Sequence, residues 1–112
     1  MRQSAWKIAV FHPAALEAIR AFPGEVRQKL GKAIFDLQQG EMLSMPLSRP
    51  MPAIAAGVSE LRIRDRDGIY RVFYFTKSSQ GILVLHAFAK KSQATLKQDL
   101  ELGRNRLREM LK

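Results

Sequence analysis

Ile69-Tyr70-Arg71-Val72-Phe73-Tyr74-Phe75-Thr76 is the clearest strand in this chain. Aromatic and β-branched residues dominate it, as suits a pleated, half-buried surface. Asp65-Arg66-Asp67-Gly68 precedes it, and Asp-Gly is a strong hairpin signal. Lys77-Ser78-Ser79-Gln80-Gly81 follows as a second turn. Upstream, Ser59 to Arg64 alternates, with Leu61 and Ile63 on one face and Glu60, Arg62 and Arg64 on the other. Downstream, Ile82 to Phe88 forms a third apolar run. The three runs predict an antiparallel meander over residues 59–88, with Arg62 and Arg71 emerging on the same side.

Helical periodicity flanks this meander. Trp6 to Phe11 alternates as a first strand, and His12-Pro13 opens a helix over Ala14 to Phe22, because proline fits the first turn. Pro23-Gly24 breaks it. A second helix runs from Glu25 to Gln39, placing Val26, Leu30, Ala33, Ile34 and Leu37 on one stripe, with Gly40 as its stop. Residues 41–58 carry Pro46, Pro50, Pro52 and three methionines and read as a packed loop, with Met42, Met45 and Met51 filling core gaps. Thr95 to Leu111 closes the chain as a helix whose inner face holds Leu96, Leu100, Gly103, Leu107 and Met110. The expected order is β-α-α-β-β-β-α over a single domain, residues 1–112. The expected class is α+β, an antiparallel sheet with helices packed mainly on one side and the other side partly open.

Composition narrows the chemistry. The absence of cysteine excludes disulfides, thiolate metal sites and a cysteine nucleophile. No cofactor loop, paired-carboxylate motif or histidine-rich metal motif occurs, so no metal and no cofactor is expected. No signal-like or bilayer-spanning apolar run is present, which predicts a soluble, cytoplasmic chain with no membrane role. Nineteen Lys and Arg against ten Asp and Glu give a net charge of +9, a balance that favours polyanions or an acidic protein partner.

The meander concentrates cations. Arg71 interrupts the apolar face made by Ile69 and Phe73; it either snorkels or pairs with Glu60, or it points into a site. Arg62, and Lys90 with Lys91 after the third strand, would converge with it on one surface. Such a cluster suits RNA cleavage by the RNA's own 2′-hydroxyl, since fixed guanidinium groups stabilise charge building on a phosphate. A lysine of lowered pKa, or Glu60, would move protons. His86 reads first as a satisfied core or margin residue and Phe88 as a buried ring, with base stacking as its functional use. Tyr70 and Tyr74 lie on the opposite, core face. Arg64, Lys91, Arg104 and Arg108 are candidate contacts to the RNA backbone; for the last helix, Arg106 included, a solvated basic face is the simpler reading.

The chain resembles the RelE/ParE toxin superfamily, and within it the HigB-like, phage-related branch of type II toxin–antitoxin systems. The resemblance rests on the Trp6 strand, the two short helices, Gly40, Glu60-Leu61-Arg62, Tyr70-Arg71-Val72-x-Tyr74, Phe88-x-Lys90-Lys91 and a last helix bearing Arg104. It implies a RelE-like fold and a metal-independent messenger-RNA endonuclease, usually dependent on the ribosome, in the bacterial cytoplasm. It also implies an antitoxin partner, often with a helix-turn-helix domain. The essential basic positions carry over onto Arg62, Arg71 and Lys90, with Lys91 beside Lys90, and Glu60 matches a recurrent family position; His86 and Phe88 are supporting candidates from their place in the third strand rather than from the resemblance. Ser92-Gln93-Ala94-Thr95-Leu96 lacks the family's Thr-Pro helix start, and Gly103 stands where an alanine is common. Two other functions compete: a ParE-like toxin acting on DNA gyrase by protein contact, and a non-catalytic nucleic-acid-binding module.

Overall fold

The computed structural model describes residues 6–90 and 96–112. In chain order the elements are β1 (Ala9–Phe11), α1 (Pro13–Arg20), α2 (Gly24–Gln38), β2 (Ser48–Pro50), β3 (Val58–Asp65), β4 (Gly68–Ser78), β5 (Gly81–Lys90) and α3 (Lys97–Leu111). The strands form one sheet in the order β1-β5-β4-β3-β2. The α+β class and the central meander are as expected, and each meander strand is longer than its apolar run. The sheet is mixed, because β1 pairs parallel with β5 while the other pairs are antiparallel. The expected loop before β3 contributes β2, with Arg49 opposite Glu60.

Alternation along the strands creates two cores. Leu61, Ile63, Val72, Tyr74, Ile82 and Val84 face α1 and α2, where they meet Ala15, Ile19, Val26, Leu30, Ala33, Ile34 and Leu37. The five stripe residues expected for α2 are all buried. On the opposite face Val58, Phe73, Leu83 and Leu85 pack with Met51, Ile54 and Leu107. Two helices therefore cover one face, and α3 covers part of the other, which is less open than expected. A β-bulge between Phe73 and Tyr74 shifts the register of β4 against β5: Phe73 opposes His86, and Tyr74 opposes Val84.

Local chemistry sets the element ends. His12 caps α1, its Nδ1 accepting the Ala14 N–H at 3.1 Å, and Pro13 takes the first turn. Tyr74 reaches across the first core to Ser48, with 2.6 Å between the hydroxyls. Met51 fills a core gap, but Met42 is 94% and Met45 62% exposed, so the gap-filling reading fails for those two. Only β2 and the turn at 51–56 enter the sheet and second core from this segment; the methionines before them lie outside both. Leu96, expected inward, is exposed just before α3. The expected helix start at Thr95 and the expected role of Lys91 lie outside the described residues.

Candidate functional site

β2, β3, β4 and β5 each present a cation to one face of the sheet. Arg62 and Arg71 are direct cross-strand partners, so their side chains leave the sheet on the same side, as expected. Arg49 opposes Glu60, Arg71 opposes Phe88, and Ile69 opposes Lys90. Pairing thus brings Arg62, Arg71 and Lys90 together around Glu60. Arg49 is the member that sequence reasoning missed. Its only signal was a cation between Ser48 and Pro50, in a segment without periodicity.

Glu60 is the centre of the cluster. Its side chain is fully buried, and its Oε1 accepts from Arg71 Nη1 at 2.7 Å and from Arg49 Nε at 3.1 Å. Arg71 is itself only 2% exposed. The pairing reading of Arg71 is therefore correct, and its guanidinium lies beneath the surface rather than on it. A buried pair of this kind is costly to break from one side, by about 3–5 kcal/mol. Arg49, Arg62 and Lys90 remain partly accessible.

The cluster keeps unmet hydrogen-bonding capacity. Among the described residues, the buried side-chain polar atoms without a partner are Glu60 Oε2, Arg62 Nε and Arg71 Nε. All three belong to this one group. Each such atom costs about 1–3 kcal/mol, so their gathering marks a place where stability yields to another requirement. Lys90 feels the same environment. Burial pushes its ammonium below the ordinary lysine pKa, and repulsion by Arg71 adds to the shift. Glu60 opposes it, while Arg49 and Arg62 push further in the same direction.

A second polar network lies under α3. His86 Nε2 is 2.7 Å from Asp99 Oδ1, and Arg106 Nη1 donates to His86 Nδ1 at 3.0 Å and to the Leu85 carbonyl at 3.2 Å. Because Nδ1 accepts from a guanidinium, the imidazole proton resides on Nε2 and is donated to Asp99. His86 is thus a satisfied core residue. Arg106 is not part of a solvated basic face; burial lowers its pKa, with Glu109 opposing. Asp99 and Arg106 were missed because a charged residue at helical spacing reads as solvent-facing. The His86 ring stacks on Phe88 at 5.0 Å, and Phe88 meets Phe73 edge-on at 5.5 Å. Phe88 is therefore half-buried beside Arg71, with one flank already occupied.

The remaining basic candidates lie outside this cluster. Arg64 is exposed at the end of β3. Arg104 Nη1 reaches the Ala53 carbonyl at 3.4 Å, and Arg108 Nη2 bonds Asn105 Oδ1. Arg104 and Arg108 share a shallow surface depression on α3 with Glu101 and Asn105. Among the described residues, no three of His, Cys, Asp and Glu gather as a metal-binding group. Among the same residues, no helix is long and apolar enough to cross a membrane.

A helix-flanked five-stranded sheet with a cationic face is a fold seen before. It matches a chain of the toxin–antitoxin complex RelBE2 from Mycobacterium tuberculosis, with a TM-score of 0.53 and 16% identity, covering 82% of this chain and 100% of that one. No curated relative matches the chain by sequence. Residues 17–108 match the family model described as Phage derived protein Gp49-like (DUF891). The chain belongs to that Gp49-like family.

Proposed function

We propose that this protein is the toxin of a type II toxin–antitoxin system and a metal-independent messenger-RNA endonuclease, acting at the ribosome in the bacterial cytoplasm. The observation that carries the reading is the cluster itself: Arg49, Arg62, Arg71 and Lys90 come from four adjacent strands around one buried carboxylate. The fold match to a chain of a toxin–antitoxin complex and the HigB-like motifs support it.

In this reading Arg62 and Lys90, the accessible cations, hold the scissile phosphate. The 2′-hydroxyl attacks the adjacent phosphorus, the bond to the 5′-oxygen breaks, and a 2′,3′-cyclic phosphate remains. Lys90, with its lowered pKa, returns a proton to the departing 5′-oxygen. The attacking hydroxyl's proton leaves to solvent water, because the Glu60 carboxylate is fully buried beneath the accessible cations and acts by holding them in place. Arg71 holds Glu60 in place and adds positive potential from beneath, instead of gripping the phosphate directly. Arg104 and Arg108 supply backbone contacts along the strand.

The burial of Arg71 also favours a rival, because a gyrase-targeting, ParE-like toxin needs such an arginine only for its fold. Lys90→Ala separates the two readings. It removes a partly accessible charge rather than one arm of the fully buried pair, so the melting temperature should fall much less than in Arg71→Ala, while cleavage and growth arrest should fall by roughly a hundredfold or more. Arg71→Ala should instead lose about 3–5 kcal/mol of stability, because it strands Glu60. Each variant is expressed without antitoxin, cleavage ends in cellular messages are mapped with and without ribosome engagement, and each purified protein is melted. Parental activity in Lys90→Ala would remove the endonuclease assignment. Growth arrest through DNA damage with intact messages would install the gyrase reading.

A further inference from the structure

Strand register arranges the cationic face of the sheet in cross-strand rows. His86, Phe73, Glu60 and Arg49 form one row, Phe88, Arg71 and Arg62 the next, and Lys90, Ile69 and Arg64 the third. β5 therefore carries His86, Phe88 and Lys90 in line. Phe88 stands between the polar network under α3 and the cations of the site.

The Phe88 ring is fastened on two sides. It stacks on His86 with centroids 5.0 Å apart and planes 24° apart, and it meets Phe73 at 5.5 Å and 72°. His86 has both ring nitrogens engaged by α3, Nε2 with Asp99 and Nδ1 with Arg106, so the imidazole cannot turn without breaking a hydrogen bond. Arg106 also donates to the Leu85 carbonyl, which fixes α3 to the strand that bears Phe88. Other contacts hold α3 at the far end of β5, where Gln80 Nε2 donates to the Met110 carbonyl at 2.7 Å. Directly opposed side chains, and their neighbours along one strand face, lie within reach of an aromatic ring. Phe88 opposes Arg71 and precedes Lys90 on the same face, so a fixed ring there keeps water from one flank of both. The depression of the Lys90 pKa by burial agrees with that packing.

We propose that His86, Asp99 and Arg106 are positioning residues for the cationic site, clamping Phe88 as an apolar wall that keeps water from Arg71 and Lys90. α3 thereby tunes the proton donor of the site through a ring, without itself touching the donor. The bearing on cleavage rests on the endonuclease reading; the wall rests on packing alone.

The test reads Lys90 directly, by ¹³C NMR of the full chain labelled at lysine Cε as pH is raised, with Lys90→Arg assigning the signal. The charges acting on Lys90 are Arg71 on β4, Glu60 and Arg62 on β3 and Arg49 on β2, and all of them are left in place. Phe88→Ala and His86→Gln should each raise the Lys90 midpoint towards the ordinary value of 10.5, by about half a unit or more. Asp99→Ala separates wall from field. Loss of a carboxylate lowers a lysine pKa by field alone, whereas a loosened wall raises it, and the rise is expected. Arg106→Lys, charge-conserving and half-buried, should also raise it and serves where a buried variant fails to fold. Gln80→Ala loosens the far end of α3 and should leave Lys90 unmoved. No shift in Phe88→Ala overturns the wall. A shift there with none in the network variants, a fall in Asp99→Ala, or an equal rise in Gln80→Ala overturns the positioning role. Cleavage is followed separately, and its alkaline limb should move up with the Lys90 midpoint. A chain that cuts no RNA while Lys90 shifts as expected sinks the endonuclease reading and leaves the clamp standing. A chain that cuts RNA with Lys90 fixed in every variant sinks the clamp alone.

Discussion

Buried between α3 and the sheet, His86 is held neutral by its surroundings. Burial lowers its pKa first; the hydrogen bond to Asp99 pulls the other way, Arg106 adds repulsion, the Asp99 charge favours protonation, and His12 contributes a little repulsion. The net direction is downward from the ordinary imidazole value of 6.5. A group whose folded pKa is depressed contributes stability that is complete above its unfolded pKa. That stability is lost as pH falls towards the folded value, because the unfolded chain takes up a proton that the folded one refuses. The melting temperature should therefore decline as pH drops below about 6.5, before carboxylates titrate. His86→Gln should flatten that limb. A pH profile of melting that is the same for parent and variant would mean that His86 is not the titrating group. At the same scale, Glu60 and Arg71 show why a charge on an apolar strand is ambiguous. One neighbour 2.7 Å away turns an exposed catalytic candidate into half of a buried pair.

Gly103 decides how closely α3 approaches the sheet. A Cβ built there would come within 3.1 Å of Phe73 Cδ2 and 3.3 Å of Ile54 Cδ1. A glycine inside a helix costs up to about 1 kcal/mol of propensity relative to alanine. Here that cost admits the helix to the second core, where Leu107 joins Phe73 and Leu85. Gly103→Ala should be close to neutral, since the propensity gained offsets the crowding. Gly103→Val adds two further carbons against the same ring and should cost about 1–3 kcal/mol, seen as a lower urea midpoint at unchanged slope. A valine variant as stable as the parent would mean that α3 does not dock through this point. β5 has a comparable requirement at its start, where Gly81 has φ +129° and a Cβ would run into the Ile8 carbonyl. That close approach lets β1 lie parallel against β5.

Across the whole molecule, the sheet separates two cores and buries one charged pair, Glu60 with Arg71, in its central strands. The net charge of +9 is spread over the cluster around Glu60, a groove between α2 and β3 and the outer face of α3. If the proposed endonuclease function holds, binding to single-stranded RNA weakens with salt, each phosphate contact contributing about −0.7 to the slope of log K against log salt. If α3 tracks the RNA backbone, Arg108→Ala reduces that slope by about one such contact with little change in base preference. Anisotropy of a labelled oligouridylate across a KCl series measures it. An unchanged slope would remove α3 from the RNA interface and confine recognition to the sheet.

Local pattern alone was enough for the central meander, the two helices before it and the buried stripe of α2. Period two and period 3.6 are properties of neighbouring residues, and Asp67-Gly68 and Pro23-Gly24 punctuate them in place. The same alternation put Arg62 and Arg71 on one side of the sheet. Residues 41–58 have no period to read, so β2, and Arg49 with it, became visible only through pairing with β3. Periodicity in α3 showed that one face is buried but not which face of the sheet it covers, nor that Asp99 and Arg106 turn inward to His86. For Arg71 the strand pattern left pairing with Glu60 and an open site as alternatives, and only the tertiary structure chose the pair. Alternation along a chain records which residues avoid water. Which of them meet is settled by strand register and helix docking, and those energies come from contacts between residues far apart in sequence.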